Sequence, residues 1–334
     1  MEMRQLGRSG LLVSELSLGT MIFGEDSPRS TPPDEAERII DHYLDAGGNF
    51  VDTANVYADG RSEEILGKAL KGRRDQVILA TKVRYRRGSH VNDIGLSRRH
   101  IMQEVENSLR RLQTDYIDLY YAHMWDPIVP IEETLRAFDD LVTAGKVRYI
   151  GASNFKAWQL MKALAVSDAK GYARFTAAQY QHSLVIRDIE REFIDLFLSE
   201  GLGSVPWGPL GGGFLSGKYK RGDKPGAGRL ATTPDHDEEA WRRRSTHRNW
   251  QIIDAVGEIV EIRGKSYSQV ALNWLLSRPE VSSLIIGVRT PAQLADNLGA
   301  VGWRLSEDEL TKLNQVSAID QGYPYRMMDL YGKR

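Results

Sequence analysis

Four residues in the first half of this chain have types and spacings suited to proton transfer. Asp52 closes the apolar run Asn49–Asp52, and Tyr57 follows five residues later. Lys82 closes Val77–Lys82, and His123 follows Ile117–Ala122. Each sits at or just past the C-terminal end of a predicted strand. Asp and Lys at the ends of neighbouring apolar strands are costly unless they pair. A free tyrosine ionises near pH 10, too high for easy proton exchange at neutral pH. A neighbouring ammonium stabilises the phenolate, so Lys82 is expected to lower that value. Asp52 would hold the lysine, His123 would orient a carbonyl oxygen, and Tyr57 would act as general acid. The chemistry is a proton given to a carbonyl as it receives a hydride. Taken singly, each residue has a plain structural role open to it: Asp52 as a turn cap, Tyr57 as a rim aromatic, Lys82 snorkelling to solvent, His123 as a satisfied polar group near the core. Their joint placement on one face favours the catalytic reading.

The elements that must position them alternate along the chain. Eight short apolar runs read as strands: Leu16–Gly19, Asn49–Asp52, Val77–Lys82, Ile117–Ala122, Tyr149–Ala152, Thr176–Tyr180, Gly203–Trp207 and Ser283–Ile286. Most are continuously apolar, as parallel strands covered on both faces require. The segments between them carry helical periodicity, for example Ile101, Val105, Leu109 and Leu112, or Ile131, Leu135, Phe138 and Leu141. Gly47-Gly48, Gly145 and Gly201 read as helix stops. Before the first strand, two short apolar segments flank Gly7-Arg8-Ser9-Gly10 and read as a hairpin. Eight β–α units predict an α/β fold: a (β/α)8 TIM barrel in one domain over residues 1–334, with an N-terminal β-hairpin. One connection is unusually long. Ser216–Trp250, after the seventh barrel strand, holds nine Lys or Arg against five Asp or Glu. It lies on the face where barrels place ligands, and a solvated surface insertion is its plainer reading.

Composition narrows the field. The chain has 334 residues, 44 Lys plus Arg against 45 Asp plus Glu, and no cysteine. Disulfide scaffolds, cysteine nucleophiles, iron–sulfur clusters and Cys-ligated zinc are excluded. The charge balance argues against nucleic acid as a partner. No apolar run reaches the roughly 18 residues of a membrane span, and the N-terminus lacks the apolar core of a secretory signal. The expectation is a soluble cytoplasmic protein acting on a small molecule, with homo-oligomer formation left open. Several motifs fail. No G-x-G-x-x-G follows a strand. Gly212–Lys218 matches G-x-x-x-x-G-K, but Tyr219 stands where a P-loop needs Ser or Thr. None of the seven histidines forms H-x-H or H-E-x-x-H, so no metal ligands are expected. There is no G-x-S-x-G elbow.

The chain resembles the aldo-keto reductases over essentially its whole length, and more the prokaryotic, potassium-channel-β-subunit-like branch than that of mammalian aldose reductases. The resemblance rests on L-G-T-M at Leu18–Met21, D-T-A-N-V-Y at Asp52–Tyr57 and G-A-S-N-F at Gly151–Phe155. It rests also on P-W-G-P-L-G-G-G-F-L-S-G-K-Y at Pro206–Tyr219 and I-I-G-V-R-T at Ile285–Thr290. It implies that Asp52, Tyr57, Lys82 and His123 are the family's catalytic tetrad. It also implies an extended nicotinamide dinucleotide across the barrel mouth, with Gly19, Thr20, Met21 and Asp52 beside it. Ser153 and Asn154, with Gln179, would bond the carboxamide, and Trp207 would stack on the nicotinamide. Gly208, Pro209, Leu210, Gly217 and Lys218 would cradle the pyrophosphate. Gly287, Arg289, Gln293 and Asn297 would face the adenosine end. Plainer roles stand beside these: Ser153 and Asn154 as caps of the helix beginning near Phe155, Gln293 and Asn297 as a solvated face, Trp207 as core. The family often has Ser where this chain has Gly208, which removes one side-chain hydrogen bond to the cofactor. The planar fork of Arg289, aided by Lys218, suits a 2′-phosphate, so NADPH is favoured over NADH.

Phe23, Tyr57, Tyr85, His123 and Trp125 are the expected substrate walls, with Arg86 and the long loop, and suit an apolar or ring-bearing carbonyl. Arg84, Arg86 and Arg87 are either recruiters of an anionic group or solvated charges. The leading expectation is an NADPH-dependent reductase of aldehydes or ketones. The alternatives are a nucleotide-binding regulatory module with poor turnover, an alcohol dehydrogenase working in the oxidative direction, and a metal-dependent barrel hydrolase. The complete tetrad argues against the first, and the histidine spacing against the last.

Overall fold

The computed structural model describes residues 1–223, 225–226 and 228–332; Lys224, one of the basic residues counted in the long connection, lies outside them. The chain opens with an antiparallel hairpin of β1 (Met3–Gln5) and β2 (Leu12–Ser14). Eight parallel strands follow: β3 (Leu16–Gly19), β4 (Phe50–Asp52), β5 (Ile78–Val83), β6 (Ile117–Ala122), β7 (Val147–Ser153), β8 (Phe175–Gln179), β9 (Gly203–Ser204) and β10 (Leu284–Gly287). They pair in the order β10-β3-β4-β5-β6-β7-β8-β9. The remaining seam is closed by backbone bonds, Ile285 N–H to Pro206 C=O at 3.0 Å and Ser282 N–H to Ser204 C=O at 2.9 Å. This is the expected (β/α)8 barrel. β9 is shorter than the predicted Gly203–Trp207 run. Pro206 has no N–H to give, yet Val205 and Trp207 still donate to Ala178 and Tyr180 at 2.9 Å each.

Helices 33–45, 61–69, 98–112, 131–143, 157–170, 193–200, 267–276 and 291–298 cover the barrel; helices 247–263 and 307–316 pack on one another outside it. The periodic residues read from the sequence, Ile101, Val105, Leu109 and Leu112, are all buried. Alternation along each strand separates two apolar cores. Leu119 and Tyr121 of β6 point into the barrel with Phe50, Ala80, Ala177, Val205 and Ile285. Tyr120 and Ala122 point outward to the helices. Leu6 and Val13 of the hairpin belong to the inner core, so the hairpin stops one end of the barrel and leaves the strands' C-terminal ends open. Fully burying each such Leu or Phe contributes about 1.5–3 kcal/mol.

The long connection has local structure among its described residues. It contains helical turns at Arg229–Thr232 and Trp241–Arg244, and its last residues already belong to the helix His247–Arg263. Thr246 caps that helix by accepting the Asn249 N–H. Among the described residues no helix is long and apolar enough to cross a membrane.

Candidate active site

Alternation also decides what reaches the mouth. In β5, Val83 faces the helices, so Lys82 faces inward. Its Nζ lies 2.5 Å from Asp52 Oδ1, 2.7 Å from the Thr53 carbonyl and 3.4 Å from the Tyr57 hydroxyl. All three ammonium hydrogens therefore have an acceptor. The other Asp52 oxygen accepts from Gln179 Nε2 at 2.8 Å. Lys82 is fully buried and Asp52 nearly so. Burial by itself would drive the lysine pKa down; Asp52 and then Tyr57 outweigh it, and the net shift is upward. Lys82 is a fixed, positively charged hydrogen-bond donor.

Because Lys82 donates to the Tyr57 oxygen, the Tyr57 O–H has to point elsewhere. The tyrosine pKa is raised, which reverses the expectation from Lys82 alone. Burial is the largest influence and raises it; Lys82 lowers it, but Asp52 pushes back upward. The result is a phenol that stays protonated and ready to donate. Its position is held by unusual backbone: Ala58 and Asp59, directly after it, both adopt positive φ, at 48° and 57°. Successive left-handed L-residues each cost roughly 1–2 kcal/mol, and Asp59 is tied down by an ion pair to Arg87.

His123 follows β6, and its N–H donates to Val83 C=O at 3.0 Å. Its ring stands edge-on to Tyr57 at 5.9 Å and to Tyr85 at 4.8 Å. Burial first, then the charges of Lys82 and Arg84, hold its pKa well below 6.5. A neutral imidazole with a buried, unpartnered Nδ1 thus borders the tyrosine. The structure brings together all four residues singled out at the strand ends.

The expected cofactor residues divide into three groups. Ser153 at the end of β7, Asn154 after it and Trp207 beyond β9 meet at the mouth but bond to one another. Asn154 Nδ2 donates to Ser153 Oγ at 2.9 Å and to the His123 carbonyl at 3.0 Å, and Trp207 Nε1 donates to Asn154 Oδ1 at 3.3 Å. Ser153 in turn donates to the Gln179 carbonyl at 2.8 Å. They do not cap a helix; the next one is capped at Lys156. Asn154 takes φ +55°, a conformation asparagine tolerates better than most.

The second group is a loop built for close approach. Gly208, Gly211, Gly212, Gly213 and Gly217 all have positive φ. A Cβ at Gly217 would lie 2.7 Å from the Tyr267 ring and one at Gly213 2.9 Å from Lys218 Nζ. A groove of about 660 Å³ opens at Lys218, Tyr219 and Lys220. Lys218 has no carboxylate partner among the described residues, and burial followed by the nearby Arg289 charge lowers its pKa. Two cations near enough for one charge to act on the other, beside a glycine-rich loop, fit a phosphate-bearing ligand. Pro209 and Leu210 sit in the same loop; Gly287 is exposed with open space above it. Gln293 accepts the Arg289 N–H at 2.8 Å, and Asn297 is buried one turn on.

The third group is turned inward. Gly19 packs against Ile285, Thr20 is fully buried and bonds to Ser62 and the Asp52 carbonyl, and only the adjacent Met21 keeps some exposure. Phe23, expected as a substrate wall, is fully buried in the outer core. Tyr85 and Trp125 remain partly exposed, with Trp125 edge-on to Phe155 at 5.1 Å. Sequence reasoning missed the Thr53 carbonyl, which no side-chain pattern reveals. It also missed Glu239, buried beside Gly208 and Gly212 and paired with Arg229, which anchors the long connection to the glycine loop. An open cavity of about 730 Å³ lies between residues 24–37 and helix 61–69.

Residues 15–318 match the model of the Aldo/keto reductase family. The uncharacterized oxidoreductase YrpG of Bacillus subtilis is 41% identical over 329 residues, covering 95% of this chain and 96% of that protein. A probable voltage-gated potassium channel subunit beta of Oryza sativa subsp. japonica is 36% identical over 306 residues, covering 90% and 91%. The aryl-alcohol dehydrogenase [NADP(+)] of Phanerodontia chrysosporium is 34% identical over 334 residues, covering 95% and 86%.

Proposed function

This chain belongs to the aldo/keto reductase family, and from that premise we propose that it is an NADPH-dependent reductase converting aldehydes or ketones to alcohols. The observation that carries the reading is the Lys82 ammonium donating at once to Asp52, Thr53 and Tyr57. That arrangement leaves the phenol proton free to face the mouth. When bound, the nicotinamide supplies the hydride. Tyr57 donates its proton to the carbonyl oxygen, and the charge left on the phenolate is stabilised by Lys82. His123, neutral and next to Tyr57, holds that oxygen in place. Asp52 balances Lys82 and, with Gln179, fixes its direction. Ser153, Asn154 and Trp207 would hold the nicotinamide end once their mutual bonds are exchanged. The glycine loop with Lys218 would hold the phosphates, and Arg289 with Gln293 and Asn297 the adenosine end. Lys218 and Arg289, which have no carboxylate partner among the described residues, support NADPH over NADH. Run in reverse, the same groups oxidise an alcohol, with Tyr57 taking the proton.

The test is reduced-nicotinamide absorbance with NADPH and NADH in parallel, against aromatic aldehydes and diketones, with Tyr57→Phe as control. NADPH oxidation that depends on Tyr57 is expected. Tight NADPH binding without turnover of any carbonyl would favour a nucleotide-binding module instead.

A further inference from the structure

Three arginines follow β5, and only one is left without work. Arg86 donates to the carbonyls of Gly88 and His90, at 3.3 and 2.9 Å. Arg87 pairs with Asp59. Arg84 has neither a hydrogen-bond acceptor nor a carboxylate within ion-pair distance among the described residues, and its Nε is buried without a partner. Its place follows from the strand. Lys82 points inward, Val83 outward, and Arg84 inward again, one layer nearer the mouth. The Val83 carbonyl accepts the His123 N–H, which fixes Arg84 beside the histidine. Arg84 also stands 5.7 Å from the Tyr85 ring centroid, and that ring in turn packs edge-on against His123. The nearby carboxylates are spent on backbone. Asp126 accepts the Leu96 and Ile128 N–H groups, and Asp93 accepts that of His90.

Lys82 has its counter-ion within the fold, whereas Arg84 has none among the described residues. A guanidinium in a partly buried position gains most from a planar oxyanion gripped by two N–H groups. We infer that Arg84 is a specificity-determining residue that receives the carboxylate of the substrate, making the preferred substrates carbonyl compounds that also carry a carboxylate. The carbonyl would lie at Tyr57 and His123, the body of the substrate against Tyr85 and Trp125, and the acid group at Arg84. This rests on the reductase reading above and narrows its substrate class.

The experiment compares 2-, 3- and 4-carboxybenzaldehyde with the matching carbamoylbenzaldehydes, in the wild-type protein and in Arg84→Gln and Arg84→Lys. The wild type is expected to favour at least one carboxylate isomer over its amide by about 10- to 100-fold in kcat/KM, mostly through KM. Arg84→Gln should erase that preference, and Arg84→Lys should restore part of it. Equal preference for acid and amide in the wild type, or equal losses for both in Arg84→Gln, would overturn the assignment. Benzoate binding to the protein with NADP⁺, measured by calorimetry, gives a readout that needs no turnover. Binding at least tenfold weaker in Arg84→Gln, with benzamide binding less affected, supports the assignment; equal benzoate affinity in the two proteins overturns it. Absence of turnover with every aldehyde would count against the reductase reading, and the benzoate result would still decide the role of Arg84.

Discussion

Two buried charge clusters in this protein look alike in composition and differ in what the fold leaves open. One is Asp52, Lys82, Tyr57 and His123. The other is Glu190, Arg187, Arg278 and His182, which ties the segment after β8 to helices 267–276 and 307–316. Glu190 accepts from His182 at 2.8 Å, from Arg187 at 2.7 and 2.8 Å, and from Arg278 at 3.0 Å. Arg187 continues to the Asn314 carbonyl and Ser317, and both arginines lie against the Trp274 ring. The carboxylate is saturated by its neighbours, and its pKa falls to about 2: burial opposes the shift, while His182 and the two arginines overcome it. In the first cluster the saturated member is Lys82, which turns the Tyr57 proton away from itself, and among the described residues the His123 Nδ1 beside it has no partner. Burial and charge alone therefore do not mark a site. What marks it is a donor held rigidly with nothing of the protein to donate to.

That contrast can be broken by substitution. Lys82→Met should remove carbonyl reduction and also strand Asp52 as a buried, unpaired charge. A stability loss of about 3–5 kcal/mol in denaturant unfolding is expected, and an unchanged midpoint would mean the pair is not buried as described. Glu190→Gln should do the reverse, keeping turnover at low temperature while losing roughly 2 kcal/mol of stability, allowing for its partly open flank. The sign follows from its depressed pKa. The stabilisation is present above the ordinary value of 4.5 and disappears as pH falls toward 2, so the variant and the wild type should converge in acid. Turnover lost in proportion to stability would erase the distinction between the clusters. At the rim, Arg289→Ala should weaken NADPH about tenfold more than NADH; equal weakening would remove its role in reading a 2′-phosphate. The smallest effect concerns pH. Because His123 is held neutral, kcat/KM should stay level as pH crosses 6.5, where an ordinary histidine would titrate, and a step there would contradict the neutral imidazole.

Much of the first cluster was legible in the sequence because barrel topology turns order along the chain into position in space. Asp52, Lys82 and His123 end consecutive strands, so their types and spacing were enough. The second cluster was not legible. Glu190 finds Arg278, and Arg187 finds Asn314, from far along the chain, and no local pattern pairs them. The rim was legible only in part. The glycines of 208–217 announced a tight loop, but not that Ser153, Asn154 and Trp207 would bond to one another, nor that Thr20 and Phe23 would turn into the core. Side-chain direction at the end of a strand depends on which layer has room, and that is set by residues such as Ser62 and Ile285 on other elements. The expected lowering of the Tyr57 pKa failed for a related reason: desolvation depends on the whole enclosure, whereas the Lys82 charge is one neighbour.

The most direct test of this account is single-turnover hydride transfer in protein preloaded with NADPH, followed by stopped-flow fluorescence for the wild type, Tyr57→Phe and Glu190→Gln. The account predicts a fall of about 100-fold or more for Tyr57→Phe with NADPH affinity nearly intact, and a near wild-type rate for Glu190→Gln. Equal transfer rates in Tyr57→Phe and the wild type would contradict it.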